Sequence, residues 1–368
     1  MSRKAVNALA GGLSTARRTR LRECAKMPPA RAARARQTGQ GNRPMCSPRL
    51  VDAAMQQKIA AYNANFRKVT ASPFGADDEI GMLNLIDAAS REAILRRADA
   101  SRVFDLSVDN FVGMPGWVAA GDPTYQIWMT HTPAGEQVWN SMGQDAATNE
   151  LVAYSGDAVS MYTHVGTHID TLNHFGYNGR IWNNFEVTKH LGSRVWDVCG
   201  AEKHPPIIAR GILLDVAGMH GLDVLPPSHA IDSMEIDACL KHQGTELKPG
   251  DVVQVRTGQM KHWHDREKFI VNTPGLNRDG AEYLCKGGAI MIGADNLTLE
   301  QTPSAEAGNY NPVHCYMFAE AGVPIMEMAQ LDELAADKVF EFAFIGACIK
   351  LRGATGSPMR PIAMPLRD

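Results

Sequence analysis

Apolar and polar positions along this chain follow two periods that replace one another. Val51, Ala54, Met55, Ile59, Ala60 and Tyr62 fall in helical register and predict a helix over 50–70. A loop from Ser72 leads into a short element near Leu85, and Asp87 is placed to cap a helix over 88–98. Val103–Ser107 reads as a short strand, and 132–150 is polar enough to be a loop or insertion. Val152–Tyr162 reads as a strand, with an exit turn following over 175–180. The run Ile207–Val216 is apolar at nearly every position, as a strand buried on both faces would be. Glu235–His242 suits a helix, Asp251–Gly258 a β-branched strand after a Pro-Gly turn, and Asp279–Lys286 a helix stopped by Gly287 and Gly288. Ala289–Gly293 reads as a buried strand, Cys315–Ala321 as a short helix, the stretch from Gly322 to Glu327 as a turn and a strand, and 340–350 as the last long strand. There is no internal repeat. This alternation predicts one α/β domain over 50–368, its strands mixed in direction and its helices packed outside.

Composition narrows the function classes. A length of 368 residues and a 45% hydrophobic fraction provide a sizeable core, and a net charge of −3 favours neither nucleic acid nor a membrane surface. No apolar run is long enough to span a bilayer. Seven cysteines without a C-x-x-C pair suggest reduced thiols in a cytoplasmic protein. Residues 1–49 stand apart. They carry Arg and Lys from Arg3 to Arg49 against the single acid Glu23, with few large apolar residues, and read as a basic, disordered, non-catalytic leader. A targeting peptide, a nucleic-acid-binding arm, or a start at Met45 or Met55 are the alternatives.

The densest chemistry lies in His164-Val-Gly-Thr-His168-Ile-Asp170-Thr-Leu-Asn-His174-Phe, three histidines and an aspartate within eleven residues. Imidazole and carboxylate suit borderline divalent ions such as zinc or manganese. His168 and Asp170, two apart, share a face of an extended segment, and His164 has the same parity. Gly166 permits a tight backbone between the first two histidines. His164, His168 and Asp170 therefore read as three ligands with open positions. His174, four residues further on, sits where a general acid/base belongs. A second group of ligand types is His314 and Glu327, which flank a helix–strand unit and so can reach one site.

The run H-x-G-T-H-x-D followed by H-F resembles the signature of the cyclase-like metal-dependent hydrolases, the family of bacterial kynurenine formamidase and isatin hydrolase. The stretch Gly75-Ala-Asp-Asp-Glu-Ile-Gly-Met-Leu-Asn84 and the tail Arg352-Gly-Ala-Thr-Gly-Ser-Pro-Met resemble the larger, isatin-hydrolase-like branch. Leu172 stands where the formamidases have proline. The resemblance implies a swivelling β/β/α core with a mixed sheet or barrel and outer helices, assembled as a homodimer or homotetramer. It also implies that His314 and Glu327 complete a centre of one or two ions, with Asp170 and Glu327 as bridging carboxylates. It selects Trp117, in the turn-rich segment Met114–Pro123, as a pocket aromatic; a Trp packing in the core is the other reading. The tail, expected as a structured turn, lines either the pocket or a subunit interface.

A divalent ion beside His174 makes a complete scheme for hydrolysing an amide, imide, lactam or formamide C–N bond of a small molecule. Tyr125, Trp128 and Phe175 would suit an aromatic ring in that substrate. No H-E-x-x-H, G-x-S-x-G or Walker A motif offers a different chemistry. The alternatives are a metal-dependent lyase or cyclase of the same fold, and a metal-binding protein without turnover.

Overall fold

Ile207–Asp215 forms the longest strand because its residues have an apolar layer to enter on either side. In the computed structural model, which describes residues 69–118 and 121–367, Ile207, Ala209 and Leu213 join one buried cluster, and Ile212 and Leu214 join another across the sheet. Each such side chain, buried fully, contributes on the order of 2 kcal/mol. The reading of 1–49 as a leader and nearly all of the helix expected over 50–70 lie outside the described residues.

The strands, in chain order, are β1 (Phe104–Asp105), β2 (Gln126–His131), β3 (Gly156–Ser160), β4 (His168–Asp170), β5 (Ile207–Asp215), β6 (Ala230–Ile231), β7 (Val252–Arg256), β8 (Gly275–Leu276), β9 (Met291–Ala294), β10 (Ile325–Glu327), β11 (Glu341–Gly346), β12 (Gly356–Pro358) and β13 (Ile362–Pro365). Nine of them form one sheet in the order β1-β13-β11-β5-β7-β9-β10-β4-β12, curled into a half-barrel. β5, β7, β9 and β10 run parallel to one another, and the pairs that flank them, β11–β5 and β10–β4, are antiparallel. The sheet is therefore mixed, as expected.

Two helices pack on the face that carries Ile212 and Leu214, and Leu334 of the Asp332–Ala336 helix packs on the other. Asp232 caps Ser233–Gln243 by accepting from the Glu235 amide, and Ile236, Cys239 and Leu240 on one side of that helix are buried. Asn277 caps Arg278–Lys286, which buries Ala281 and Leu284. Asp87 and Ser90 form a capping box at the start of Ala88–Arg97, where a helix was expected.

Three local expectations are corrected. The polar stretch 132–150 is not loop but two short helices, Pro133–Trp139 and Ala146–Leu151, started by the side chains of Thr132 and Asp145. Good caps overcame a weak apolar pattern. β3 begins at Gly156 rather than Val152 and pairs with β2, a strand that the sequence pattern did not mark. The tail is a turn only at Arg352 and Gly353: β12 and β13 both join the main sheet, β12 beside β4, which lies far away in sequence, and β13 between β11 and β1. Pro358 is tolerated because β12 is an edge strand. The five cysteines among the described residues are free.

Candidate metal centre

β4 is three residues long, and its alternation points His168 and Asp170 away from Ile169, which enters the core. His164 does not share that strand. It reaches the site through a turn at Gly166, whose φ of +65° favours glycine and where a Cβ would lie 2.1 Å from Asn110 Oδ1. The parity argument thus holds for His168 and Asp170, while the turn delivers His164, with Nδ1 2.6 Å from Asp170 Oδ1.

Sheet register supplies the remaining groups. In the antiparallel pair β4–β10, Glu327 is the direct partner of His168. On the other side, Gly356 of β12 is the partner of Asp170, and a Cβ there would lie 2.6 Å from His164 Cε1. Glycine at 356 is what leaves room for the His164 ring. Thr355 Oγ1 lies 2.8 Å from His164 Nε2. His314 comes from the short helix Pro312–Cys315, which continues into a π-helical segment, Tyr316–Ala321.

Asp170 is central. Its Oδ1 lies 3.0 Å from His168 Nε2, and its Oδ2 lies 3.7 Å from both His174 Nε2 and His314 Nε2. Glu327 spans the same two sides, with Oε2 3.4 Å from His168 Nε2 and Oε1 3.2 Å from His314 Nε2. All of these groups are buried except His174, which is 19% exposed. His168 Nε2, Asp170 Oδ2 and Glu327 Oε1 are buried with no hydrogen-bond partner among the described residues. Orphaned polar atoms converging from three side chains are costly unless a cation satisfies them, so the donor set fits a divalent ion.

The titration directions agree. Burial disfavours a charged His168 and a charged His314. Asp170 and Glu327 outweigh this for His168, and Glu300 and Glu327 for His314, raising both to about 10. Burial would raise Asp170, but its surrounding histidines hold its carboxyl well below the usual range. Burial, with His164 beside it, lowers His174. The carboxylates at the centre thus draw positive charge onto their neighbours.

His174 stacks on His164 at 4.0 Å between ring centroids, at the exposed edge of the cluster. Phe175 packs on His174 at 4.6 Å and on His314 at 5.0 Å. Trp117 is 45% exposed, which excludes a core role; its neighbour Gly116 packs on Val165, beside His164. Trp128 is also exposed, and Tyr125 is buried in a separate apolar cluster. The aromatics that pack on the histidines are therefore Phe175, Tyr162, at 4.9 Å from His164, and Phe318, at 5.7 Å from His314.

Two residues escaped the sequence reading. Glu300 Oε1 lies 2.6 Å from His314 Nδ1 and orients that imidazole. Thr355 does the same for His164 from the tail. Nothing local marks Glu300, which is an isolated acid in a polar loop. Asp78, within the Gly75–Asn84 motif, accepts from Ser72, Asn84 and Trp182 and organises that loop.

A mixed half-barrel with its polar cluster on β4 and β10 defines a class, and sequence comparison gives it a name. The profile of the Cyclase family matches residues 104–301, more than half of the chain, and the chain belongs to that family. Kynurenine formamidase of Geobacillus thermodenitrificans (strain NG80-2) is 23% identical over 240 residues, which cover 65% of this chain and 91% of the relative. A crystal structure described as a novel cyclase superposes with a TM-score of 0.71 at 24% identity, covering 81% of this chain and all of that one. Isatin hydrolase A from Ralstonia solanacearum superposes with a TM-score of 0.54 at 18% identity, covering 73% of this chain and 92% of that one. The relatives named by their activity are hydrolases. No helix among the described residues is long and apolar enough to cross a membrane.

Proposed function

We propose that this chain is a metal-dependent hydrolase that opens a non-peptide C–N bond, in a formamide, lactam or cyclic imide, of a small and aromatic substrate. The observation that carries the reading is the buried cluster His164, His168 and Asp170, whose ligand atoms lie within 4.8 Å of one another, with His168 Nε2, Asp170 Oδ2 and Glu327 Oε1 left without a hydrogen-bond partner among the described residues. His164, His168 and Asp170 would hold a first zinc or manganese ion. His314 and Glu327, with Asp170, would hold a second. Asp170 and Glu327 fit as bridges because each turns one oxygen toward each side. Such an ion, when bound, supplies Lewis acidity for polarising a carbonyl and acidifying water.

The chain's own residues supply the rest. Glu300 and Thr355 hold the His314 and His164 rings in place. His174, partly open and stacked on His164, is set to take a proton from water and return it to the leaving nitrogen. Phe175 offers a flat apolar wall beside it, and Trp117 is a more distant candidate for substrate contact. The formamidase likeness over 91% of that relative's length supports the bond type. A homodimer or homotetramer belongs to the same proposal. Apolar side chains left open around β2 and β3, Trp139 at 82% and Leu151 at 84%, are where a second copy would pack.

The test is metal analysis of purified protein coupled to a panel of formanilides and cyclic amides. The expected result is bound metal and turnover of at least one panel member, lost on chelation and restored by zinc or manganese. Metal-loaded protein inert on the whole panel would overturn the bond type. Elimination products without added water would favour the lyase reading.

A further inference from the structure

Outside the proposed centre, a second set of ligand atoms converges. His220 ends the helical turn Val216–Met219, His229 lies in the loop before β6, and Glu235 sits in the first turn of Ser233–Gln243. Three separate elements thus deliver two imidazoles and a carboxylate to one place. His220 Nε2 lies 2.5 Å from Glu235 Oε1. His229 Nε2 lies 3.0 Å from the same oxygen and 2.9 Å from Oε2. The donor atoms of all three lie within 4.8 Å of one another. The rings stand 6.0 Å apart and are inclined at 71°, so both offer the same nitrogen without stacking.

We propose that His220, His229 and Glu235 form a separate zinc site. Two imidazole nitrogens and one carboxylate are a borderline donor set, suited to Zn²⁺ rather than to Mg²⁺ or Ca²⁺. Tetrahedral zinc with bonds of about 2.1 Å spaces its ligand atoms roughly 3.3 Å apart. The His–Glu separations are shorter, so each histidine needs to part from Glu235 by less than about 1 Å. His220, with 42% of its side chain exposed, has the freedom to do this. Glu235 is 13% exposed, and its helix is already capped by Asp232, so its carboxylate is not needed as a cap. The fourth position faces solvent and takes water. The ion ties the 220–229 loop to the start of the 233–243 helix, so it stabilises the fold and takes no part in turnover.

The full-length protein is stripped with a chelator and titrated with Zn²⁺ alone, alongside His229→Ala and Glu235→Gln. At micromolar free zinc, the wild type should bind one more ion per chain than either variant, with hydrolytic turnover unchanged among the three. Zinc should also raise the wild-type Tm further. Anomalous scattering at the zinc edge should give a peak bonded to His220 and His229 Nε2 and to Glu235. Glu235→Gln keeps side-chain size and carries the test if His229→Ala does not fold. Equal stoichiometry in the wild type and Glu235→Gln, with no peak at this position, would overturn the proposal.

Discussion

His168 and Glu327 stand directly opposite each other across β4 and β10, in an antiparallel pair whose members come from separate halves of the chain. Their neighbours Ile169 and Met326 are opposed in the same way and face the core. Slipping β4 by one residue would turn Ile169 into the polar site and His168 and Asp170 into the core. Core packing therefore enforces the geometry of the centre.

Removing a ligand of the first ion should abolish metal and activity together. His164→Ala and Asp170→Ala are each expected to lose stoichiometric metal, and turnover should fall on the order of a thousandfold or more, the equivalent of several kcal/mol of Lewis-acid stabilisation. Elemental analysis beside kinetics checks this; metal fully retained in both variants would end the ligand assignment.

The two-sided placement of Asp170 and Glu327 bears on ion number. The centre should bind two ions at saturation, and His314→Ala should reduce the count by one. Counts that are equal in the wild type and His314→Ala would indicate a mononuclear centre.

His174 separates catalysis from storage. His174→Ala should keep its fold and metal while turnover falls about 10²–10⁴-fold, with a smaller change in KM. Loss of metal in this variant would make His174 a ligand. Full turnover would remove its role in proton transfer.

Gly356→Ala would place a methyl group 2.6 Å from the His164 ring. The ring must move, so metal affinity should weaken by about 10–100-fold, as when a supporting group around a ligand is lost. Metal titration of the two proteins measures it, and unchanged affinity would show that the ring has room to yield.

His204 gives a pH-dependent prediction. It is buried, and neither ring nitrogen has a hydrogen-bond partner among the described residues, so burial lowers it from 6.5 to about 4. Between those values the unfolded chain binds the extra proton and the folded chain does not. Stability should therefore fall as pH drops from about 6.5 to about 4, by about 3 kcal/mol from this group. His204→Leu should flatten that part of a Tm-against-pH curve, and parallel curves would show that another group dominates.

The spacing H-x-G-T-H-x-D, by itself, determined that ligand types would crowd one short stretch, because period-2 alternation puts His168 and Asp170 on one side wherever that strand pairs. The apolar runs at 207–216 and 289–293 likewise indicated buried strands, since they are short for a helix and rich in isoleucine. Asp87 determined a helix start through its own side chain. Only the tertiary structure decided that the tail would become strands beside β4, that Glu327 would face His168, and that Glu300, Thr355 and Phe175 would touch the histidines. Apart from Glu300 beside His314 and Phe175 beside His174, these are contacts between segments far apart in the chain. They depend on which strands pair and in what register, and that choice is made by burial of both sheet faces at once rather than by any local preference.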